Sequence, residues 1–259
     1  MNPSVATVSP AADALAVPVG TEHWIDTRVS AVIDLAARLR RVSVTADVLR
    51  TPRHAGPDAH LRLCLPGADG KVIRPVTAAI DHRSGTAELD LVLVSDDGPA
   101  TRWARSVRPG DRVRAVLRPG VWSADPRGQL LVADEVGVPA LTAILDRIDL
   151  AHPEQLSRTH VIVAAADARM VPGLEQWWAP RVGSWHRIRT APGREGSMVA
   201  RLLADGGRIG GGRVRVGSVW AAGACDLVAA VSRLAAERWH LSSSDIAATA
   251  YRHRADRSA

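Results

Sequence analysis

Glu88-Leu89-Asp90-Leu91-Val92-Leu93 runs into Gly98-Pro99-Ala100-Thr101-Arg102-Trp103-Ala104 and on to Pro109-Gly110-Asp111. This is a strand, a turn of small residues, and a helix predicted over Pro99–Val107. Such a corner points free backbone N–H groups, and the positive end of the helix, at whatever sits there. An anionic group such as a pyrophosphate suits it. A plain strand-turn-helix corner, with Thr101 as a local cap and Trp103 as core, is the competing reading.

A second stretch answers it further along. Leu130-Leu131-Val132-Ala133-Asp134-Glu135-Val136-Gly137-Val138-Pro139-Ala140-Leu141 is an apolar strand that ends in two carboxylates, after which Gly and Pro open a helix. The end of a strand is where an α/β sheet receives a ligand. The alternative is that Asp134 caps the helix and Glu135 is solvated.

Working outward, the first half reads as strands. Arg41–Asp47 and His60–Leu65 alternate apolar and polar, the second stopping at Pro66-Gly67. Lys71–Ile80 and Thr86–Val94 flank the turn His82-Arg83-Ser84-Gly85, and Arg112–Leu117 follows Pro109-Gly110. Short strands at this spacing predict an antiparallel barrel. The second half changes rhythm. Strands are predicted at Gln129–Ala133, Thr159–Ala166, Ser184–Thr190 and Arg213–Ala221. Helices are predicted at Val138–Arg147, Ser197–Ala204 and Cys225–Trp239. That alternation predicts a parallel sheet covered by helices on both faces. The expected class is α+β with two domains: an N-terminal antiparallel β-barrel and a C-terminal α/β parallel-sheet, nucleotide-binding-type domain. The expected divisions are a flexible leader at 1–27, the barrel at 28–125 and the α/β domain at 126–259, split at a Pro/Gly/Asp-rich stretch. Gly206–Gly212 is glycine-rich but lacks the strand-GxGxxG-helix context of a dinucleotide loop.

Composition narrows the function classes. Hydrophobic residues make up 46% and charged residues 23% of the 259, as in ordinary globular proteins. No apolar run is long enough for a membrane span and the N-terminus lacks secretory-signal character, so the expected location is the cytoplasm. The net charge of +6 is carried almost wholly by arginines spread along the chain, Lys71 being the single lysine. That argues against a nucleic-acid partner and for attraction of an anionic small molecule. Cys64 and Cys225 are far apart, no Cys/His spacing fits a metal, and none of His152, His160, His186, His240 and His253 sits at ligand spacing. Adjacent Trp177 and Trp178 read as one core anchor and one half-exposed neighbour, and Asp226 as a cap for the last long helix.

Taken in order, these segments resemble the siderophore-interacting FAD-binding family, a ferredoxin-reductase-like group, from about Arg40 to Tyr251. Ala221-Ala222-Gly223-Ala224 and Ala250-Tyr251 fall where that family has its late motifs. The resemblance implies a cytoplasmic flavoprotein that uses FAD and NADH or NADPH to reduce a ferric siderophore. It implies that Arg74 serves the flavin phosphates and Thr77 the isoalloxazine ring, that Gly98, Pro99, Ala100 and Thr101 hold the pyrophosphate, and that Asp134, Glu135 and Pro139 line the nicotinamide side. Tyr251 joins the cofactor-binding set, and Thr77 and Glu135 are the candidate catalytic residues. No metal site is expected.

The departures from the family fall on the flavin. The motif Arg-x-Tyr-Thr followed by an apolar residue and Arg reads Arg74-Pro75-Val76-Thr77-Ala78-Ala79 here. A stacking tyrosine becomes Val76 and a second arginine becomes Ala79. Val94-Ser95 stands where the family has a strand-ending histidine, Ala224-Cys225 where it has an acidic residue, and Arg252 where it has a tryptophan. Stacking contributes roughly 1–3 kcal/mol and a charge-assisted hydrogen bond about 1.5–3 kcal/mol, so such losses weaken flavin binding by about 10³-fold or more unless compensated. Three functions follow: the flavin reductase; a flavin-free descendant whose old cofactor cleft runs non-redox chemistry, such as a cyclisation or isomerisation in natural product biosynthesis; and a ferric-chelate carrier.

Overall fold

A computed structural model describes residues 23–51, 56–67, 70–94, 98–165, 173–191, 193–204, 208–209, 212–213 and 216–252. The barrel is built from β1 (Ile25–Ala36), β2 (Leu39–Thr45), β3 (His60–Gly67), β4 (Gly70–Asp81), β5 (Thr86–Val92) and β6 (Arg112–Arg118). They close in the order β1-β2-β5-β4-β3-β6, all antiparallel. The period of two drives this closure: Leu61, Leu63 and Leu65 point inward and are buried, with Val42, Val44, Ala87 and Leu89 from neighbouring strands. Helix α1 (Pro99–Ser106) plugs the barrel, burying Ala104 and packing Ala100 and Trp103 on the core.

The second unit is a five-stranded parallel sheet ordered β13-β12-β7-β8-β9. Its strands are β7 (Gln129–Asp134), β8 (Thr159–Ala165), β9 (Ser184–Arg189), β12 (Ser218–Ala224) and β13 (Ile246–Arg252). A short hairpin of β10 (Arg208–Ile209) and β11 (Gly212–Arg213) stands apart. Helices α2 (Val138–Ala151), α3 (Leu174–Trp178), α4 (Glu195–Ala204) and α5 (Cys225–Trp239) connect the strands. One core lies between the sheet and α2 and α3, the other between the sheet and α4 and α5. β7 is buried at every position, as a central parallel strand must be.

The two-domain architecture matches the expectation, with several differences in its elements. β1 begins at Ile25, within the stretch read as leader, and closes the barrel. Its alternation is interrupted by a register shift between Val29 and Ala31, and polar Thr27 faces inward, donating to the Val113 carbonyl at 2.8 Å. β13 was also unforeseen: its alanines have weak strand preference, and pairing with β12 makes it a strand. The strand expected over Arg213–Ala221 lies at Ser218–Ala224 instead, and Arg213 belongs to the hairpin. Most of Gly206–Gly212, together with Ser95 and His253, lies outside the described residues. Asp226 sits in the first turn of α5 but the cap position is Ala224, without a side-chain cap. Trp178 is buried and Trp177 exposed, as read. Cys64 and Cys225 are free thiols.

Candidate functional site between the barrel and the sheet

The sheet runs outward from β7 to β8 and β9, then returns to β12 and β13 on the other side of β7. The strand order therefore reverses between β7 and β12, and the crevice at their C-terminal ends is where such sheets bind ligands. Asp134 and Glu135 end β7 there, and Gly223 and Ala224 end β12.

Asp134 is fully buried and its carboxylate is spent on backbone. One oxygen accepts from the Val136 and Gly137 N–H groups at 2.9 and 3.2 Å, the other from Ala224 N–H at 2.8 Å. It thus staples β7 to β12. Gly223 is required beside it: φ is +147°, and a Cβ would lie 2.5 Å from Asp134 Cγ. Glu135, for which solvation was the alternative, is buried instead, and Arg38 from the β1–β2 turn donates to it at 3.3 Å. Arg38 also donates to the Leu93 carbonyl at 3.0 Å, tying the carboxylate to the barrel. Pro139 lies in the first turn of α2, half-buried.

Opposite stands the barrel wall of β3 and β4. Thr77 is paired with His60, so both project from the same face. The Thr77 hydroxyl lies 3.2 Å from the Tyr251 hydroxyl on β13. The His60 ring stands perpendicular to the Tyr251 ring, with centroids 6.2 Å apart. Burial pushes the Tyr251 phenol pKa up and lowers that of His60 to about 4, so both are neutral at pH 7. Behind them Asp58, buried, accepts from the Val121 and Trp122 N–H groups and from the Trp220 indole at 3.0 Å. The indole of Trp122 donates to Gln129 at 2.9 Å, and Gln129 to Thr159 at 3.0 Å. The cleft is thus floored by a continuous polar chain from barrel to sheet.

The structure brings Thr77, Tyr251, Asp134 and Glu135 to this crevice from separate parts of the chain. Arg74 pairs with Leu63 further along β4, and its guanidinium donates to the Ile73 carbonyl at 2.8 Å. Gly98, Pro99, Ala100 and Thr101 open α1, with Gly98 at the cap position and no side-chain cap. Val76 is buried in the barrel core, and Ala79 is exposed beside Glu88. Sequence reading missed Asp58, His60, Arg38 and Trp220. Asp58 follows Gly56-Pro57 and looks like a turn residue; only its burial reveals its role.

Residues 68–122 match the family model described as the siderophore-interacting FAD-binding domain. A mycobactin import ATP-binding/permease protein of Mycolicibacterium smegmatis is 30% identical over 189 residues, covering 59% of this chain. The chain spans 22% of that relative's length. The siderophore-interacting protein SipS of Aeromonas hydrophila superimposes with a TM-score of 0.70 at 20% identity, over 90% of this chain and 92% of that one. A ferredoxin NADP+ reductase of Neisseria gonorrhoeae with bound FAD and NADP superimposes at 0.62 and 13% identity, over 88% and 99%. Residues 68–122 are thus similar to a siderophore-interacting FAD-binding domain, and the chain shares the ferredoxin-reductase-like fold of these solved structures.

Two features of the barrel fit parts of FAD. The uncapped start of α1 offers N–H groups suited to a phosphate. Thr77 offers a hydroxyl at the domain boundary, suited to a polar ring edge. The packing tyrosine and second arginine are missing from the motif, so the ring and phosphates receive fewer contacts than the family pattern supplies.

Proposed function

We propose that the protein is a cytoplasmic, FAD-dependent NAD(P)H oxidoreductase that reduces a ferric siderophore or a related ferric chelate. The observation that carries this is the domain match over residues 68–122, on a barrel whose Thr77 faces Tyr251 and the strand ends of a nucleotide-binding-type sheet. FAD, when bound, supplies the conversion of a two-electron hydride donor into one-electron delivery to ferric iron. The chain's own work is binding and orientation. Ala100 and Thr101 N–H groups would receive the phosphates, and Arg74 would supply a cation. Thr77 orients the ring. Glu135, held by Arg38, would meet the nicotinamide side, with Pro139 beside it. The buried polar floor from Asp58 to Thr159 keeps the two domains in one register, as hydride transfer between two bound rings requires.

The test is reduction of a ferric hydroxamate or catecholate chelate by the FAD-loaded protein with NADH or NADPH, read as trapped Fe(II). Expected is Fe(II) formation that depends on protein, FAD and nicotinamide together. No rate above the free-flavin background overturns the reading.

A second reading is favoured by a specific observation. Val76, in the place of the packing tyrosine, is turned into the barrel core, and Ala79 exposes no charge. In that reading the cleft holds an organic metabolite without flavin, and a neutral His60 beside Tyr251 and Thr77 serves a cyclisation or isomerisation.

A further inference from the structure

Thr77 and Tyr251 carry a directional argument, which rests on the flavin reading above. Tyr251 is the only tyrosine in the chain and is buried, 6% exposed; Thr77 is 7% exposed. Their hydroxyl oxygens are 3.2 Å apart, and neither side chain makes another hydrogen bond among the described residues. Each hydroxyl has one proton and spare lone pairs. A phenol is a far stronger acid than an alkyl alcohol, so it is the better donor. Tyr251 therefore donates and Thr77 accepts. The Thr77 proton is then left over, in a buried place where an unmet donor is costly. His60, perpendicular to the Tyr251 ring, fills the space beside it and limits where the phenol can swing.

We propose that Tyr251 is a positioning residue: by donating to Thr77 across the domain boundary, it turns the Thr77 hydroxyl proton into the cleft, as a donor to a ring nitrogen or carbonyl of the bound flavin. The contact joins two units, since β13 lies in the parallel sheet and β4 in the barrel. Tyr251 acts only through Thr77. Removing either hydroxyl should produce the same effect, and removing both should add nothing.

The experiment is a double-mutant cycle on the full chain, with FAD affinity and the midpoint potential of the bound flavin as readouts. Tyr251→Phe keeps the ring and its packing. Tyr251→Phe and Thr77→Ala are each expected to weaken FAD binding by about fivefold and to shift the potential in the same direction. The double variant should match Thr77→Ala alone. A silent Tyr251→Phe, or effects that multiply independently, overturns the proposal while leaving the flavin reading in place. A wild-type protein that binds no FAD overturns both. Because tyrosine occurs once, a chain labelled at the tyrosine ring carbon bearing the hydroxyl gives one NMR signal from Tyr251. Without FAD, Thr77→Ala should move that signal in a folded protein. An unmoved signal overturns the Tyr251–Thr77 bond itself.

Discussion

The Trp220 indole N–H donates to the Asp58 carboxylate at 3.0 Å, joining the central sheet to the loop that leads into β3. Asp58 also receives two backbone N–H groups from the segment between the domains, at Val121 and Trp122. Replacing it by alanine leaves the buried Trp220 indole without an acceptor, at about 1–3 kcal/mol, and the two part-buried backbone donors at less. Asp58→Ala should therefore destabilise strongly, by several kcal/mol, and Trp220→Phe, which removes one donor and keeps most of the packing, by about 1 kcal/mol. Denaturant unfolding of the two variants checks the order. Equal effects would mean the indole bond carries most of the contact.

The fold should lose stability in mild acid through His60. Burial lowers its pKa from 6.5 to about 4, opposed by Asp58 and helped by Arg62 and Arg118. The unfolded chain then binds a proton between pH 6.5 and 4 that the native state does not. Stability contributed by neutral His60 is thus full above about pH 6.5, falls as pH drops, and is flat below about 4. The total is at most about 3 kcal/mol. Urea midpoints across that window, for wild type and His60→Gln, check it: the slope should flatten in the variant.

Gly223→Ala tests the crowding at the end of β12. The substitution combines a positive φ with a Cβ 2.5 Å from the Asp134 carboxyl carbon, so either β12 or the Asp134 staple must shift. A loss of roughly 1–3 kcal/mol is expected. Gly70→Ala, also at positive φ but with open space around it, should cost less. Thermal unfolding of the pair separates collision from backbone strain.

Glu135→Gln should separate function from folding. Glutamine keeps an acceptor for Arg38, which is only half-buried and retains the Leu93 carbonyl, so stability should change by about 1 kcal/mol. Under the proposed function, the variant's NAD(P)H-driven Fe(II) production should fall mainly through a higher KM for the nicotinamide. Steady-state kinetics with saturating FAD measures this. An unchanged KM would remove Glu135 from the nicotinamide side.

Much of the fold was legible because periodicity reports burial. Leu61, Leu63 and Leu65 alternate and line the barrel, while the apolar run of β7 is buried on both faces. Cys225–Trp239 declared its own helix. β1 and β13 were not legible, since Thr27 turns inward against the pattern and three of the seven residues of β13 are alanine; partners, not their own residues, make them strands. At the site, Asp134 and Glu135 were visible as carboxylates after an apolar strand. What they do was not: one is bound to a backbone N–H brought from β12, the other to an arginine brought from the barrel. Asp58, His60 and Trp220 carry no local signal, because their contacts are long-range in the chain.

Under the proposed function, FAD binds in this cleft despite Val76 and Ala79. Titrating the purified full chain with FAD, followed by equilibrium dialysis and the visible flavin bands, tests it most directly. Saturable binding of one FAD per chain, weakened by Thr77→Ala, is expected. A protein that stays colourless after dialysis, at FAD concentrations well above micromolar, would contradict it.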